Sequence, residues 1–265
     1  AFSCLPGMGG APLASIALGE GNQKKAQKYL CNAITLLLAI SVVMMAVCLL
    51  FLEPLLVLFG ADAETLPYAS QYLTIYLTIY LFGTVFVEFA LGLNPFINTQ
   101  GHTVIGTMSV VIGAVVNIIL DPIFIFGLGM GVKGAALATI ISQAVSCGWV
   151  LAFLTGKKTF LRIKKEYLKP VPSIVFPCLA LGLSTFVMQS SESVISVCFN
   201  SSLLKYGGDL AVGAMTILTS TMQFAMLPLQ GIGQGAQPIM SYNYGARNID
   251  RMKKTFKLHL VISLI

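Results

Sequence analysis

Charge is what this chain most lacks. Asp, Glu, Lys and Arg make up 10% of its 265 residues, where an average soluble domain carries about 25%. Hydrophobic residues make up 56%, and mean hydropathy is +0.85. A soluble fold leaves too much of its surface wet to hide that much apolar area, so the composition indicates a polytopic membrane protein. Strand alternation is missing, which argues against a β-barrel. The long apolar runs are long enough for membrane helices, and an all-α polytopic fold is expected.

Catalytic signatures are also missing. The sequence has no Walker motif, no HExxH and no CxxC. His102 and His259 are far apart, so no enzyme, no cofactor and no histidine metal site is expected. The run GIGQGA (231–236) fits a G-x-G-x-x-A pattern. It lies in an apolar run with no preceding strand, and reads as small-residue helix packing. Cys4, Cys31, Cys48, Cys147, Cys178 and Cys198 are scattered through apolar runs and read as small packing side chains. The chain has no initiator Met and no signal-peptide n-region, and both ends fall inside apolar stretches; it reads as a fragment of a longer protein.

What is present divides into eight expected spans, the outer two partial: about 1–18, 30–52, 66–97, 104–126, 134–154, 171–200, 210–243 and 258–265. Of the 16 Lys and Arg, 14 fall in loops of one parity, leaving Lys133 and Lys205 on the other side. The positive-inside rule makes the basic loops cytoplasmic. The net charge of +6 then reflects topology, and no nucleic-acid partner is expected for the basic stretch 157–169.

An internal repeat appears at an offset of 226 residues. GMGGAPLASIALGEGNQKKAQK (7–28) lies over GQGAQPIMSYNYGARNIDRMKK (233–254), with seven identities in 22 positions: Gly7/Gly233, Gly9/Gly235, Pro12/Pro238, Ser15/Ser241, Gly19/Gly245, Asn22/Asn248 and Lys28/Lys254. The copies end spans one and seven. Six helices apart, they point the same way, which implies two parallel six-helix halves of the kind transporters use. The expected division is an N-lobe over 1–155, a basic cytoplasmic linker over 156–170, and a partial C-lobe over 171–265.

Three acids sit within the spans: Glu88, Asp121 and Glu192. A carboxylate at the bilayer centre costs about 2.5–3.5 kcal/mol on insertion scales, so each needs a reason. Asn117 precedes Asp121 by four residues and shares its helix face. Pro122 removes a backbone donor next to it. Taking Met130 as the midpoint of the tight connection FGLGMGVKG, Thr139 stands at the depth of Asp121 on the neighbouring helix. Carboxylate, amide and hydroxyl then converge, which suits a proton or a small hard cation; the other reading is that Asp121 caps or anchors a helix near the outer interface. Glu192 lies among Gln189, Ser190, Ser191 and Ser193; it is a substrate or coupling candidate, or part of a structural hydrogen-bond patch. Glu88 faces a water-filled cavity or pairs within the bundle. Asn94 with Pro95 marks a kink or a helix end.

Three segments resemble one family. NIILDPIFIFGLGMGVKGAALATIISQ (117–143) resembles the fifth and sixth helices of the multidrug and toxic compound extrusion (MATE) family, most of all its bacterial DinF-like branch. NPFINTQG (94–101) is similar to the end of the fourth helix, and LPLQGIGQGAQPIMSYNYGARNIDRMKKTFK (227–257) to the eighth helix and its loop. The resemblance implies a twelve-helix, two-lobe fold, of which this chain spans helix two to the start of helix nine. It implies Na⁺- or H⁺-coupled efflux of cationic and amphipathic compounds by a monomeric, multi-pass protein of the cell membrane. It also implies an N-lobe cation or proton site at Asn117, Asp121 and Thr139, with Na⁺ at Asp121 as the one metal to consider. Two other functions stay open: a flippase for lipid-linked precursors from the same wider superfamily, and an intramembrane enzyme.

Overall fold

The computed structural model describes residues 2–51, 66–156 and 159–264. It is helical, and no strand occurs among the described residues. The helices are α1 (Cys4–Gly19), α2 (Gln23–Leu50), α3 (Leu66–Thr99), α4 (Thr103–Pro122), α5 (Val132–Thr155), α6 (Pro172–Gly245) and α7 (Ile249–Leu264). A single π-helical turn, Ile123–Gly127, continues α4 past Pro122. Among the described residues, four stretches are long and apolar enough to cross a membrane: Gln23–Leu50, Thr103–Gly127, Lys133–Thr155 and Pro172–Phe199. Six of the eight expected spans each fall on a helix of their own.

Expected spans six and seven occupy the one continuous assignment α6, which must double back. Gly182 packs on the backbone of Leu5, and Gly245 on that of Ile16. A straight helix would hold the α6 positions about 95 Å apart and the α1 positions only about 17 Å. The reversal comes at Gly208, with φ 64° and ψ −168°. That conformation is open to glycine and forbidden to most other residues.

Polarity runs inside out. Along α4, Val104, Val110, Ile118 and Ile119 are exposed, whereas Gly106, Ser109 and Gly113 are buried. Small and polar residues face protein and large apolar ones face outward, as lipid surroundings require. The apolar core gathers Leu30 and Leu37 of α2, Leu93, Phe96 and Ile97 of α3, and Val150 and Leu154 of α5, all fully buried.

The sequence repeat is a structural repeat as well. In the first copy Asn22 Oδ1 caps α2 by accepting from Lys25 N–H at 3.0 Å; in the second, Asn248 Oδ1 accepts from Arg251 N–H at 3.3 Å. Asn22 N–H donates to Ala17 O (2.8 Å) and Asn248 N–H to Asn243 O (2.9 Å). Gly21 has φ 75° and its counterpart Arg247 φ 55°. The contact between the copies is reciprocal too. A Cβ on Gly19 would strike Tyr242 O, and one on Gly245 would strike Ile16 O, and each contact becomes the other under the 226-residue offset.

The segment 159–171, between α5 and α6, is fastened along α2. Gln23 and Gln27 both donate through Nε2 to Phe160 O, at 2.8 and 3.2 Å. Lys164 N–H donates to Cys31 Sγ at 3.4 Å. Asn32 donates to Tyr167 O (3.3 Å) and accepts from Val171 N–H (2.8 Å). Thr35 donates to Leu168 O at 2.7 Å. From the end of α3, Gln100 Oε1 accepts from Leu161 N–H at 3.0 Å and from the Thr159 hydroxyl. Leu161 is fully buried. Cys31 is therefore a hydrogen-bonding partner of this segment, beyond the packing role its sequence context suggests; Cys147 and Cys178 are buried and Cys198 is exposed.

Candidate functional site

Helices α3, α4 and α5 enclose a cavity of about 210 Å³ lined by Asn94, Ser109, Asn117, Thr139, Ser142, Gln143 and Ser146 among apolar neighbours. Helical spacing builds its wall. Ser109, Gly113 and Asn117 recur every four residues on α4, as do Ser142 and Ser146 on α5. Gly113 leaves room for Ser146, whose hydroxyl donates to Ser109 O at 2.8 Å. From α3, Asn94 Nδ2 donates to Gly106 O and to Ser109 Oγ, both at 3.0 Å.

Asn117 and Thr139 thus meet on one cavity. Asp121 is half-buried one turn away, and its Oδ1 accepts from Asn117 Nδ2 at 3.3 Å. It is not among the residues that line the cavity. The Thr139 hydroxyl donates to Ala135 O at 2.9 Å, so its lone pairs are open to a further donor or a cation. The register differs slightly from a midpoint at Met130. Phe124 packs against Gly134, and Gly113 against Ser146, which centres the hairpin near Gly129 and sets Thr139 about 3 Å deeper than the level of Asp121.

Asn94 does not end its helix. α3 runs on to Thr99, and the Asn94 amide works sideways against α4. Asn94, Leu91 and Val110 also line a second cavity of about 440 Å³, together with Ser3, Cys4, Met8, Asn98 and Thr107 and with Gln189 and Gln234 of the two α6 limbs. Among the described residues, no charged one lines either cavity.

Glu192 is exposed on the first limb of α6; from its polar neighbourhood it is Gln189 that turns toward α1, accepting from Cys4 Sγ at 3.7 Å. Glu88 is half-buried, and its Oε2 has no hydrogen-bond partner among the described residues. Neither reaches the α4–α5 cavity. Asn94, Ser109, Ser142, Gln143 and Ser146 were not among the candidates drawn from the sequence. Their signal was the four-residue spacing of Ser142 and Ser146, hidden because lone serines in apolar helices usually bond back to their own backbone. No group of three or more His, Cys, Asp or Glu among the described residues could hold a metal ion.

Comparison with known proteins fits this geometry. The MatE family model matches residues 1–123 and 184–265. The chain is 30% identical over 261 residues to the multidrug export protein MepA of Staphylococcus haemolyticus (strain JCSC1435), covering 98% of this chain and 56% of that protein. It is 27% identical to the MepA of Staphylococcus saprophyticus, again over 98% and 56%. The chain therefore spans a little over half the length of these relatives. Among solved structures, the MATE multidrug transporter DinF-BH superimposes with a TM-score of 0.86 at 40% identity, over 97% of this chain and 57% of that one. An outward-facing multidrug resistance MATE transporter of the MOP superfamily gives 0.86 at 25% identity, over 98% and 57%. These are integral membrane transporters of two-lobe helical fold, and not enzymes; with most of its length matched by the family model, the chain belongs to the MatE family.

Proposed function

We propose that the protein is a secondary active multidrug exporter of the cell membrane, taking cationic and amphipathic compounds outward in exchange for inward Na⁺ or H⁺. The observation that carries this reading is the pair of adjoining cavities sharing the wall at Asn94. The larger is of drug size and lined by apolar and amide groups. The smaller has Asn117 and Thr139 on its wall and Asp121 next to Asn117, which suits a proton or a hard cation. The exporter names of the relatives support the same function.

In this reading Asp121 tolerates its apolar helix because a bound cation or proton neutralises it, and release favours a different packing of the lobes over 1–155 and 171–265. Each inward charge crossing 100 mV supplies about 2.3 kcal/mol, roughly a fiftyfold bias on a two-state equilibrium. Glu192 and Glu88 are further coupling or substrate candidates. The basic loops, the linker 156–170 included, face the cytoplasm, and the whole protein works as a monomer.

Drug accumulation in cells expressing the full-length parent, with and without an ion gradient, tests the function. Gradient-dependent loss of cationic dye is expected; dye retention unaffected by the protein would overturn it. In a cysteine-free parent, a cysteine placed beside Lys133 should react with an impermeant thiol reagent from outside intact cells, and one placed beside Lys164 should not. The flippase alternative calls for a basic chamber, whereas the described residues of the chamber walls include amides and no charged group. An intramembrane enzyme is disfavoured by the transporter names of the relatives.

A further inference from the structure

We propose that the cleft between the start of α2 and the segment 159–164 is a binding site for an anionic phospholipid headgroup of the inner leaflet. The sidedness rests on the cytoplasmic placement proposed above; the site itself does not.

The cleft has a volume of about 480 Å³ and is lined by Gln23, Lys24, Gln27, Thr159, Phe160, Arg162 and Lys164. Three cationic side chains from two separate segments line it, and no carboxylate does so among the described residues. Glu20, just before α2, is engaged by Lys25 at 3.2 Å. A surplus of cations in a general surface potential would be unremarkable for a basic loop. Here the backbone that carries them is fixed: Gln23 and Gln27 clamp Phe160 O, Gln100 holds Leu161 N–H, and Cys31 accepts from Lys164 N–H. Lys28 and Lys164 flank the Tyr167 ring at 5.9 and 5.7 Å, which adds a further cation beside the cleft. With the backbone already fixed, only the side chains remain to be ordered when a phosphate arrives.

Depth favours a lipid over a soluble anion. Lys24 precedes Leu30, where the apolar run of α2 begins, by about 9 Å of helix rise. One headgroup layer is about 5–8 Å thick, and a lysine stem can span the remainder. Phe160 is 62% exposed at the rim while its neighbour Leu161 is fully buried. Because the Phe160 carbonyl is clamped, its ring is held outward, as interfacial aromatic anchors are. A phosphate in the cleft with acyl chains alongside the apolar face of α2, where Leu38, Val42 and Val43 are exposed, satisfies both chemistries.

The test uses the full-length parent in detergent, offered an equimolar mixture of phosphatidylglycerol and phosphatidylcholine, with bound lipid counted by native mass spectrometry. Wild type should retain phosphatidylglycerol in preference to phosphatidylcholine. The triple variant Lys24→Gln/Arg162→Gln/Lys164→Gln should lose phosphatidylglycerol affinity roughly a hundredfold, about fivefold per cation, with phosphatidylcholine unchanged. The triple variant Lys253→Gln/Lys254→Gln/Lys257→Gln removes the same charge elsewhere and should keep the preference. Equal loss in both triples, or no preference in wild type, overturns the site. Displacement by glycerol phosphate at the same concentration as lipid would assign the cleft to a soluble phosphate ester and overturn the lipid. If the first triple does not run as a monodisperse peak, Arg162→Gln alone should show about a fivefold loss, and an unchanged affinity refutes the proposal. Detergent has no sides, so lipid retention together with outside thiol labelling beside Lys164 would refute the orientation and leave the site standing.

Discussion

Gly19 and Gly245 stand in reciprocal contact, each against the backbone of the helix that carries the other. They are equivalent positions of the 226-residue repeat, so the contact has the form of a twofold, self-complementary interface within one chain. A side chain at either position would meet a carbonyl, which has nowhere to go. Gly19→Leu or Gly245→Leu in the full-length parent should each lower the thermal midpoint, equivalent to about 1–3 kcal/mol of overpacking. Unchanged midpoints would show that the two helices are not packed this closely.

The turn that follows each copy makes a sharper test. Gly21 and Arg247 share a left-handed backbone, which costs a residue with a side chain about 1–2 kcal/mol. Gly21→Val should therefore destabilise by about that amount. Arg247→Gly should not destabilise, because relief of strain offsets the extra freedom of unfolded glycine. A clear loss of stability in Arg247→Gly, read by thermal unfolding, would contradict the shared turn geometry.

Asn32 is fully buried and uses both ends of its amide on the segment 159–171. Replacing it by Ala leaves Val171 N–H and Tyr167 O without their partner, at a cost of about 1–3 kcal/mol. The expected outcome for Asn32→Ala is faster tryptic cleavage after Arg162, Lys164 and Lys165, before general unfolding. Cleavage at the wild-type rate would show that the segment is held by other means.

Asp121→Asn keeps the shape and most hydrogen bonding beside Asn117 but removes the negative charge. The parent should still insert, since a neutral amide is no costlier in the span than a carboxylate. Ion-driven efflux should be abolished. Asn117→Ala and Thr139→Ala should each weaken ion dependence less, since each removes one neutral ligand. Near wild-type transport by purified Asp121→Asn under the same gradient would leave Asp121 as a helix anchor only.

For Glu192, exposed on α6, the discriminating variant is Glu192→Gln. If the carboxylate meets substrate, export of cationic compounds should fall more than that of neutral ones. An equal fall in both, with reduced expression, indicates a structural role.

Much of this was legible in the sequence because membrane helices announce themselves by length and polarity. The helical character of the expected spans and the repeat followed from residue type alone, and Asn117 and Asp121 were paired by their four-residue spacing. The π turn after Pro122 was not legible, since its five residues, IFIFG, differ in no obvious way from an α-helical run. Asn94 with Pro95 suggested a kink or a helix end; α3 carries on to Thr99, which removes the second reading, and the amide finds its partners on α4. The fastening of 159–171 was hidden for a different reason. Its donors, Gln23, Gln27, Asn32 and Thr35, are spread along α2 more than 120 residues earlier, and their targets are backbone atoms that leave no mark in a sequence.

That fastening sets how the chain can move. Because the segment is bound to α2 as far as Val171 N–H and α6 begins at Pro172, the covalent path between them holds almost no slack. The first limb of α6 cannot slide away from α2 as on a loose tether. It can only swing, with its first residue as the fixed end, so small angular changes there become the largest displacements near Gly208, at the far end of the limb.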